Sequence, residues 1–210
     1  PLLLGKSGRG GSARQAGHHL VWSLFADGPD RRRDFLWREM EGGTFFILSV
    51  RPPEDHHGLF EIAEPKPFVP AIESGDRLSF TLRANPIVRR RVSGRRRSVK
   101  HDVVMDALRS HASGDRDEPR VAAVHREGLA WLERQGVPSG FAVEPNSVRV
   151  DGYQQHRIGR SGAAGSMSYS TLDFEGVLTV RDPGALLPAI ARGFGASKAY
   201  GCGLMLIRRA

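Results

Sequence analysis

Two adjacent histidines, His18 and His19, open a stretch in which Leu20, Val21, Leu24 and Phe25 recur at helical spacing. An ordinary imidazole pKa of ~6.5 lets such a ring accept a proton and return it near neutrality. Neighbours on a helix project about 100° apart, so one of the two rings faces a given reacting atom. The plainer alternative is a solvated pair at a helix start. A second chemistry, anion binding, is suggested by Arg89-Arg90-Arg91 and Arg95-Arg96-Arg97, which flank Ser93-Gly94 and precede Lys100. Two arginine triplets around a turn suit an arm lying along a phosphate backbone, with a solvated basic loop as the bland reading. A third feature is the run Gly193–Leu204, with glycines at 193, 195, 201 and 203 around Lys198. Glycine lets successive N–H groups turn toward a phosphate. Helix capping at Gly193 and turns at Gly201 and Gly203 would account for the same glycines. The run follows a helix and lacks a Gly-Lys-Ser/Thr ending, so no nucleotide cofactor is expected. His56, His57, His101, His111, His125 and His156 show no ligand spacing with carboxylates or the one cysteine, Cys202, so no metal site is expected.

The elements that must carry these groups alternate between the two periods. Gly5–Gly17 reads as loop and His18–Phe25 as helix, ended by Asp27-Gly28-Pro29. Phe35–Arg38 and Thr44–Val50 read as strands around Gly42-Gly43, with a short strand at Phe60–Ala63 and irregular chain through Pro65, Pro67 and Pro70. Leu78, Phe80 and Leu82 alternate with Ser79, Thr81 and Arg83, as in a half-buried strand. Helices are expected over Asp102–Ser110 and Val121–Gln135, the latter with Val121, Val124, Leu129 and Leu132 on one face and Gly128 against it. Val148–Ile158 and Tyr169–Val180 are strands, Asp182 caps a helix over Pro183–Arg192, and Leu204–Ile207 is a last strand. The order fits β-α-β-β-α-β units. The expected fold is α+β, two tandem ferredoxin-like (RRM-like) domains over 1–87 and 88–210.

The chain has 210 residues, 40% hydrophobic and 26% charged, as in ordinary globular proteins and unlike disordered ones. Phe45-Phe46-Ile47-Leu48 falls well short of the ~20 residues of a membrane span. One cysteine permits no internal disulfide, so a reducing, cytoplasmic setting is expected. The net charge is +8, yet Arg77–His101 holds nine lysines and arginines and no acidic residue, leaving 22 against 23 elsewhere. That concentration points to a localised polyanion site.

Three segments together resemble one known family: Lys66–Ile72 continuing into Gly75-Asp76-Arg77-Leu78-Ser79-Phe80-Thr81-Leu82-Arg83-Ala84-Asn85-Pro86, then Phe174–Val180, then Gly193–Leu204. They are similar to the CasE family, the CRISPR repeat-processing endoribonucleases of the type I-E Cascade complex. The resemblance implies binding of a CRISPR repeat RNA hairpin, metal-independent cleavage at its 3′ base, retention of the product and assembly with other Cascade subunits. It implies that His18, four residues before Trp22, is the catalytic histidine. The ends would be a 2′,3′-cyclic phosphate and a 5′-hydroxyl. Family members often carry tyrosine three residues before the histidine, where this chain has Gln15, so the second catalytic role stays unassigned. Candidate RNA-contacting residues are Arg83, Asn85, Arg89, Arg90, Arg91, Arg95, Arg96, Arg97, Lys100, Arg157, Arg160, Gly193, Gly195 and Lys198. A non-catalytic RNA-hairpin-binding module is the alternative.

Overall fold

The computed structural model describes residues 11–25, 33–91, 98–108, 117–159 and 166–210. It begins with helix α1 (Gly11–Ser23), followed by the antiparallel hairpin β1 (Phe35–Glu39) and β2 (Phe45–Ser49). Buried Val21, Leu24 and Phe25 pack on Phe35 and Trp37 of β1, and the Phe25 and Phe35 rings stack at 4.3 Å. Residues 11–17, expected as loop, are helical, because the chain meets the Trp37 surface already at Gly17. Residues 60–63 form no strand; Phe60 instead packs beside Phe45, and its N–H donates to Asp55.

The main sheet contains β3 (Arg77–Ala84), β6 (Phe141–Val143), β7 (Arg149–Gly159), β8 (Ser166–Val180) and β9 (Met205–Arg209). The hairpin β4 (Ile87–Arg90) and β5 (Val99–Asp102) stands apart from it and leads into α2 (Val103–Ala107), capped by the Asp102 carboxylate. Helix α3 (Asp117–Gly136) covers the sheet between α2 and β6, and α4 (Pro183–Arg192) covers it between β8 and β9. β3 lies between β8 and β9, with β7 on the far side of β8, and every pairing is antiparallel. The order β9-β3-β8-β7 is that of a β-α-β-β-α-β unit beginning at β3. Hence the expected division at 87/88 separates β3 from both strands that hydrogen-bond to it.

The alternation in β3 buries Leu78, Phe80, Leu82 and Ala84 against Leu172, Phe174, Leu178 and Val180 of β8. Trp131 and Leu132 of α3 and Leu186, Ala189 and Ile190 of α4 close that core. Val121, placed on the apolar face by periodicity, is 73% exposed; Ala123, Trp131 and Leu132 carry the contact. Gly128 strengthens the packing, since a Cβ there would lie 2.5 Å from Val150 Cγ1. The Asp182 cap donates no proton; its carboxylate accepts from the Gly184 and Ala185 N–H groups, as expected for this sequence. Among the described residues no helix is long and apolar enough to cross a membrane.

Candidate functional site

The first helix, the first strand and the glycine-rich run meet at one carbonyl. Trp37, on the buried face of β1, donates its Nε1–H to the Ala199 oxygen at 3.2 Å. Nδ1 of His18 lies 2.9 Å from the same oxygen. A carbonyl only accepts, so Nδ1 carries the hydrogen and Nε2 of the neutral ring keeps its lone pair. Ala199 belongs to a helical turn, Lys198–Tyr200, whose Tyr200 ring lies 5.2 Å from the His18 ring. Trp22, one turn along α1, meets His18 edge-on at 5.7 Å. Behind Tyr200 the column continues to Tyr169 at 5.5 Å and then to buried His156 at 4.9 Å, which pairs with Thr171 Oγ1 at 3.0 Å. The imidazole is thus held at one nitrogen and walled by aromatic rings.

The charges around it are of one sign. Burial lowers the His18 pKa below its ordinary 6.5; His19 and Arg33 act the same way, against the opposing bond to Ala199. Burial also lowers the Lys198 pKa, with Arg33 and Arg192 adding to it. Lys198 Nζ donates to the Arg192 carbonyl at 2.8 Å, which ties it to the end of α4. Arg33, just before β1, is lowered by burial, and its Nη1 is shielded from water without a hydrogen-bond partner. A neutral base beside crowded, partly desolvated cations is suited to a reaction that transfers a proton while negative charge grows on a bound phosphate. Among the described residues no cluster of three or more His, Cys, Asp or Glu side chains could hold a metal ion.

The residues singled out in the sequence divide into three sets. His18 meets the carbonyl of Ala199, the residue after Lys198, with the Tyr200 ring beside it, and Arg33 acts electrostatically on both His18 and Lys198. Gly193, Gly195 and Asn85 build the support. Gly193 is buried at φ +77°, its N–H closes α4, and a Cβ would meet Leu36 Cδ1 at 2.8 Å. Gly195, at φ +75°, leaves 2.7 Å between an added Cβ and the Asn85 carbonyl. The Asn85 side chain is 5% exposed and donates to Ser197 Oγ at 2.7 Å, while its carbonyl accepts from Ala196. These three residues shape the loop from within, with Gly193 and Asn85 buried. Arg83 makes a two-pronged ion pair with Asp173 at 2.7 and 2.8 Å.

The third set is the basic segment. Folding brings carboxylates to it that the local sequence lacks: Glu144 to Arg77, Asp173 to Arg83 and Asp106 to Arg90. Arg89, Arg91 and Lys100 are exposed and have no ion pair among the described residues, with Arg89 opposite Lys100 across the β4–β5 hairpin. Arg157 is exposed on β7 and donates to Ser166. Arg95, Arg96, Arg97 and Arg160 lie outside the described residues. Arg33 and Tyr200 had no role assigned from sequence. Trp37 stands two residues from Phe35, which puts both on the face of β1 toward α1.

A family model for CRISPR associated proteins matches residues 6–209 of this chain. The chain is 28% identical over 193 residues to the CRISPR system Cascade subunit CasE of Escherichia coli (strain K12), covering 90% of this chain and 88% of that one. It is 30% identical over 192 residues to the CRISPR-associated endoribonuclease Cse3 of Thermus thermophilus, covering 84% and 80%. A solved structure of CRISPR endoribonuclease Cse3 bound to a 19-nucleotide RNA superposes with a TM-score of 0.67 at 25% identity, over 98% of this chain and 94% of that one.

Proposed function

The chain belongs to the family of CRISPR associated proteins, and from that footing we propose that it is an endoribonuclease that cuts CRISPR precursor RNA within each repeat. Its substrate is the repeat RNA hairpin, cut at the 3′ base without a metal ion, and it keeps the product as a subunit of a Cascade assembly in the cytoplasm. The relatives' names support the substrate and the assembly. The chemistry rests on one observation, the His18 Nδ1–H bond to the Ala199 carbonyl, which leaves Nε2 as the proton acceptor.

In this reading the hairpin holds the ribose 2′-OH in line with the adjacent phosphorus, which itself removes much of the barrier. Nε2 takes the 2′-OH proton as the 2′-oxygen bonds to phosphorus. The bond from phosphorus to the 5′-oxygen breaks, and that oxygen takes a proton from water. The products are a 2′,3′-cyclic phosphate and a 5′-hydroxyl. Lys198 and Arg33 offset the charge that gathers on the phosphate oxygens. Arg89, Arg91, Lys100 and Arg157, together with Arg95, Arg96, Arg97 and Arg160, grip the stem backbone, since double-stranded RNA is read mainly by shape and phosphate.

The test is cleavage of the native repeat hairpin in excess EDTA by the wild type and by His18→Ala, with analysis of the product ends. Cyclic phosphate from the wild type, and none from a variant that still binds, is the expected result. A folded wild type that binds the hairpin and leaves it intact would make this chain a non-catalytic hairpin-binding module, with Gln15 the first residue to restore to tyrosine.

A further inference from the structure

The turn that holds His18 also brings a phenol to it. Tyr200 closes the helical turn Lys198–Tyr200, and its ring lies 5.2 Å from the His18 ring at a tilt of 43°. Tyr169 of β8 stacks on that ring at 5.5 Å, which packs it in place without using its hydroxyl. Among the described residues nothing hydrogen-bonds the Tyr200 hydroxyl, and the half-buried side chain leaves that oxygen open to solvent. Nε2 of His18 is free in the same way, since the ring is held only at Nδ1. The other polar side chain on the turn is engaged: Lys198 donates to the Arg192 carbonyl at 2.8 Å. The backbone just before the turn is strained. Ser197 stands at φ +52°, the one non-glycine residue at positive φ among those described, and buried Asn85 donates to its Oγ at 2.7 Å. Strain held in place by a buried polar contact points to a task for the turn that follows.

Resting on the nuclease reading above, we infer that Tyr200 is a further catalytic residue, whose hydroxyl hands its proton to the departing 5′-oxygen. In an in-line displacement the attacking and leaving oxygens lie on opposite sides of phosphorus. A base and an acid must therefore stand side by side, each within ~3 Å of its own oxygen. Two neighbouring rings, one with a free lone pair and one with a free O–H, supply that pair. The step balances. The 2′-oxygen bonds to phosphorus and gives its proton to Nε2; the bond from phosphorus to the 5′-oxygen breaks, and that oxygen keeps the electron pair and takes the phenol proton. Water then restores the phenol, and His18 releases its proton to solvent. A phenol carries its proton at neutral pH and is a stronger acid than the alcohol it makes, so this transfer runs downhill.

Tyr200→Phe tests it, because the variant keeps the ring and its stack on Tyr169 and removes only the O–H; a thermal melt checks the fold. Single-turnover cleavage of the native repeat hairpin in EDTA is expected to slow about 100-fold. Affinity for a 2′-deoxy hairpin, which cannot be cut, should stay within about threefold of wild type, so that the loss lies in the chemical step. The second substrate carries sulfur in place of the 5′-oxygen at the scissile linkage. A thiolate leaves without a proton, so wild type and Tyr200→Phe should cut it at rates within about threefold of each other, while His18→Ala stays slow. Tyr200→Phe that matches wild type on the native hairpin, or is as handicapped on the sulfur linkage as on the oxygen one, overturns the assignment alone. A wild type that cuts neither substrate overturns the nuclease reading and the assignment with it.

Discussion

The pocket at His18 and the β4–β5 hairpin are both basic, and they use positive charge in opposite ways. The hairpin keeps its cations in water: Arg89, Arg90, Arg91 and Lys100 are exposed, and Arg90 leans on Asp106 at 2.8 Å. Each of those charges is cheap to keep and weakly felt, since solvent and salt screen it. The pocket holds fewer charges, yet burial lowers the pKa of His18, Lys198 and Arg33 alike. Charge counting along the sequence finds the hairpin and passes over the pocket. A dense run of arginines is the place to look for grip; a few cations held against desolvation mark where charge develops in a reaction.

The widest separation of the two regions is expected from single substitutions. On the proposed mechanism His18→Ala should slow cleavage by about 1000-fold, with hairpin affinity within about threefold of wild type. Arg89→Ala combined with Lys100→Ala should do the reverse, weakening binding while the single-turnover rate at saturating protein stays near normal. Quench-flow cleavage beside filter binding reads both. A His18→Ala protein that loses both in proportion would erase the distinction between chemistry and grip.

The pH dependence sharpens it. With its pKa below 6.5 in the folded chain, His18 is already neutral at pH 7 and becomes protonated only in more acid solution. As a base it should give a kcat/KM that climbs about tenfold per pH unit on the acid side and bends over at a pH below ~6.5. The stability sign follows from the same shift. The unfolded chain binds that proton more readily, so the His18 contribution is full above ~6.5 and is lost as the pH falls from there through the lower folded pKa. A bend at a pH above ~6.5 would contradict the buried, neutral imidazole.

Local signals explain what could be read in advance. The alternation of Leu78, Phe80 and Leu82 and the Asp182 cap before Pro183 are decided within a few residues, and both stand as expected. That His18 lies on a helix was legible from the spacing, and its candidate role came from the resemblance alone. Its partner was not legible, because Ala199 lies 181 residues away and is met only when the glycine-rich run packs on β1. The partner of Arg83 was hidden for the same reason: Asp173 is 90 residues further on and directly opposite it in the β3–β8 register. The seam between the units escaped because β3 pairs with β8 and β9, and strand periodicity says nothing about which strand will be the neighbour.

The Arg83–Asp173 pair yields the next prediction. Arg83→Met breaks a pair whose side chains are 27% and 29% exposed, and leaves the Asp173 carboxylate without its partner on the sheet. A loss of about 1–3 kcal/mol is expected. In a thermal melt that is roughly 3–10 °C for a chain of this size. Asp173→Asn should fall in the same direction. RNA affinity at a temperature where both variants are folded should be unchanged, because Arg83 answers to the protein. If Arg83→Met instead bound the hairpin several-fold more weakly without losing stability, the arginine would belong with the grip residues after all.

The smallest effect is the one that divides the basic hairpin within itself. Arg89 and Lys100 face each other across the β4–β5 register, two like charges side by side. Such a pair repels unless a polyanion lies across it, and an RNA backbone is a surface that would neutralise both at once. Arg90, turned toward Asp106, has part of its charge answered before RNA arrives. The dependence of log affinity on log salt should therefore flatten by about 0.7–0.9 for each phosphate contact removed: roughly twice that in the Arg89→Ala, Lys100→Ala double variant, and less in Arg90→Ala. Salt titrations on the native repeat hairpin, with affinity at each concentration from fluorescence anisotropy, would resolve that order. Equal flattening for Arg89 and Arg90 would mean that Asp106 lets go when RNA binds, and that the hairpin's cations act as an undivided field rather than as individual contacts.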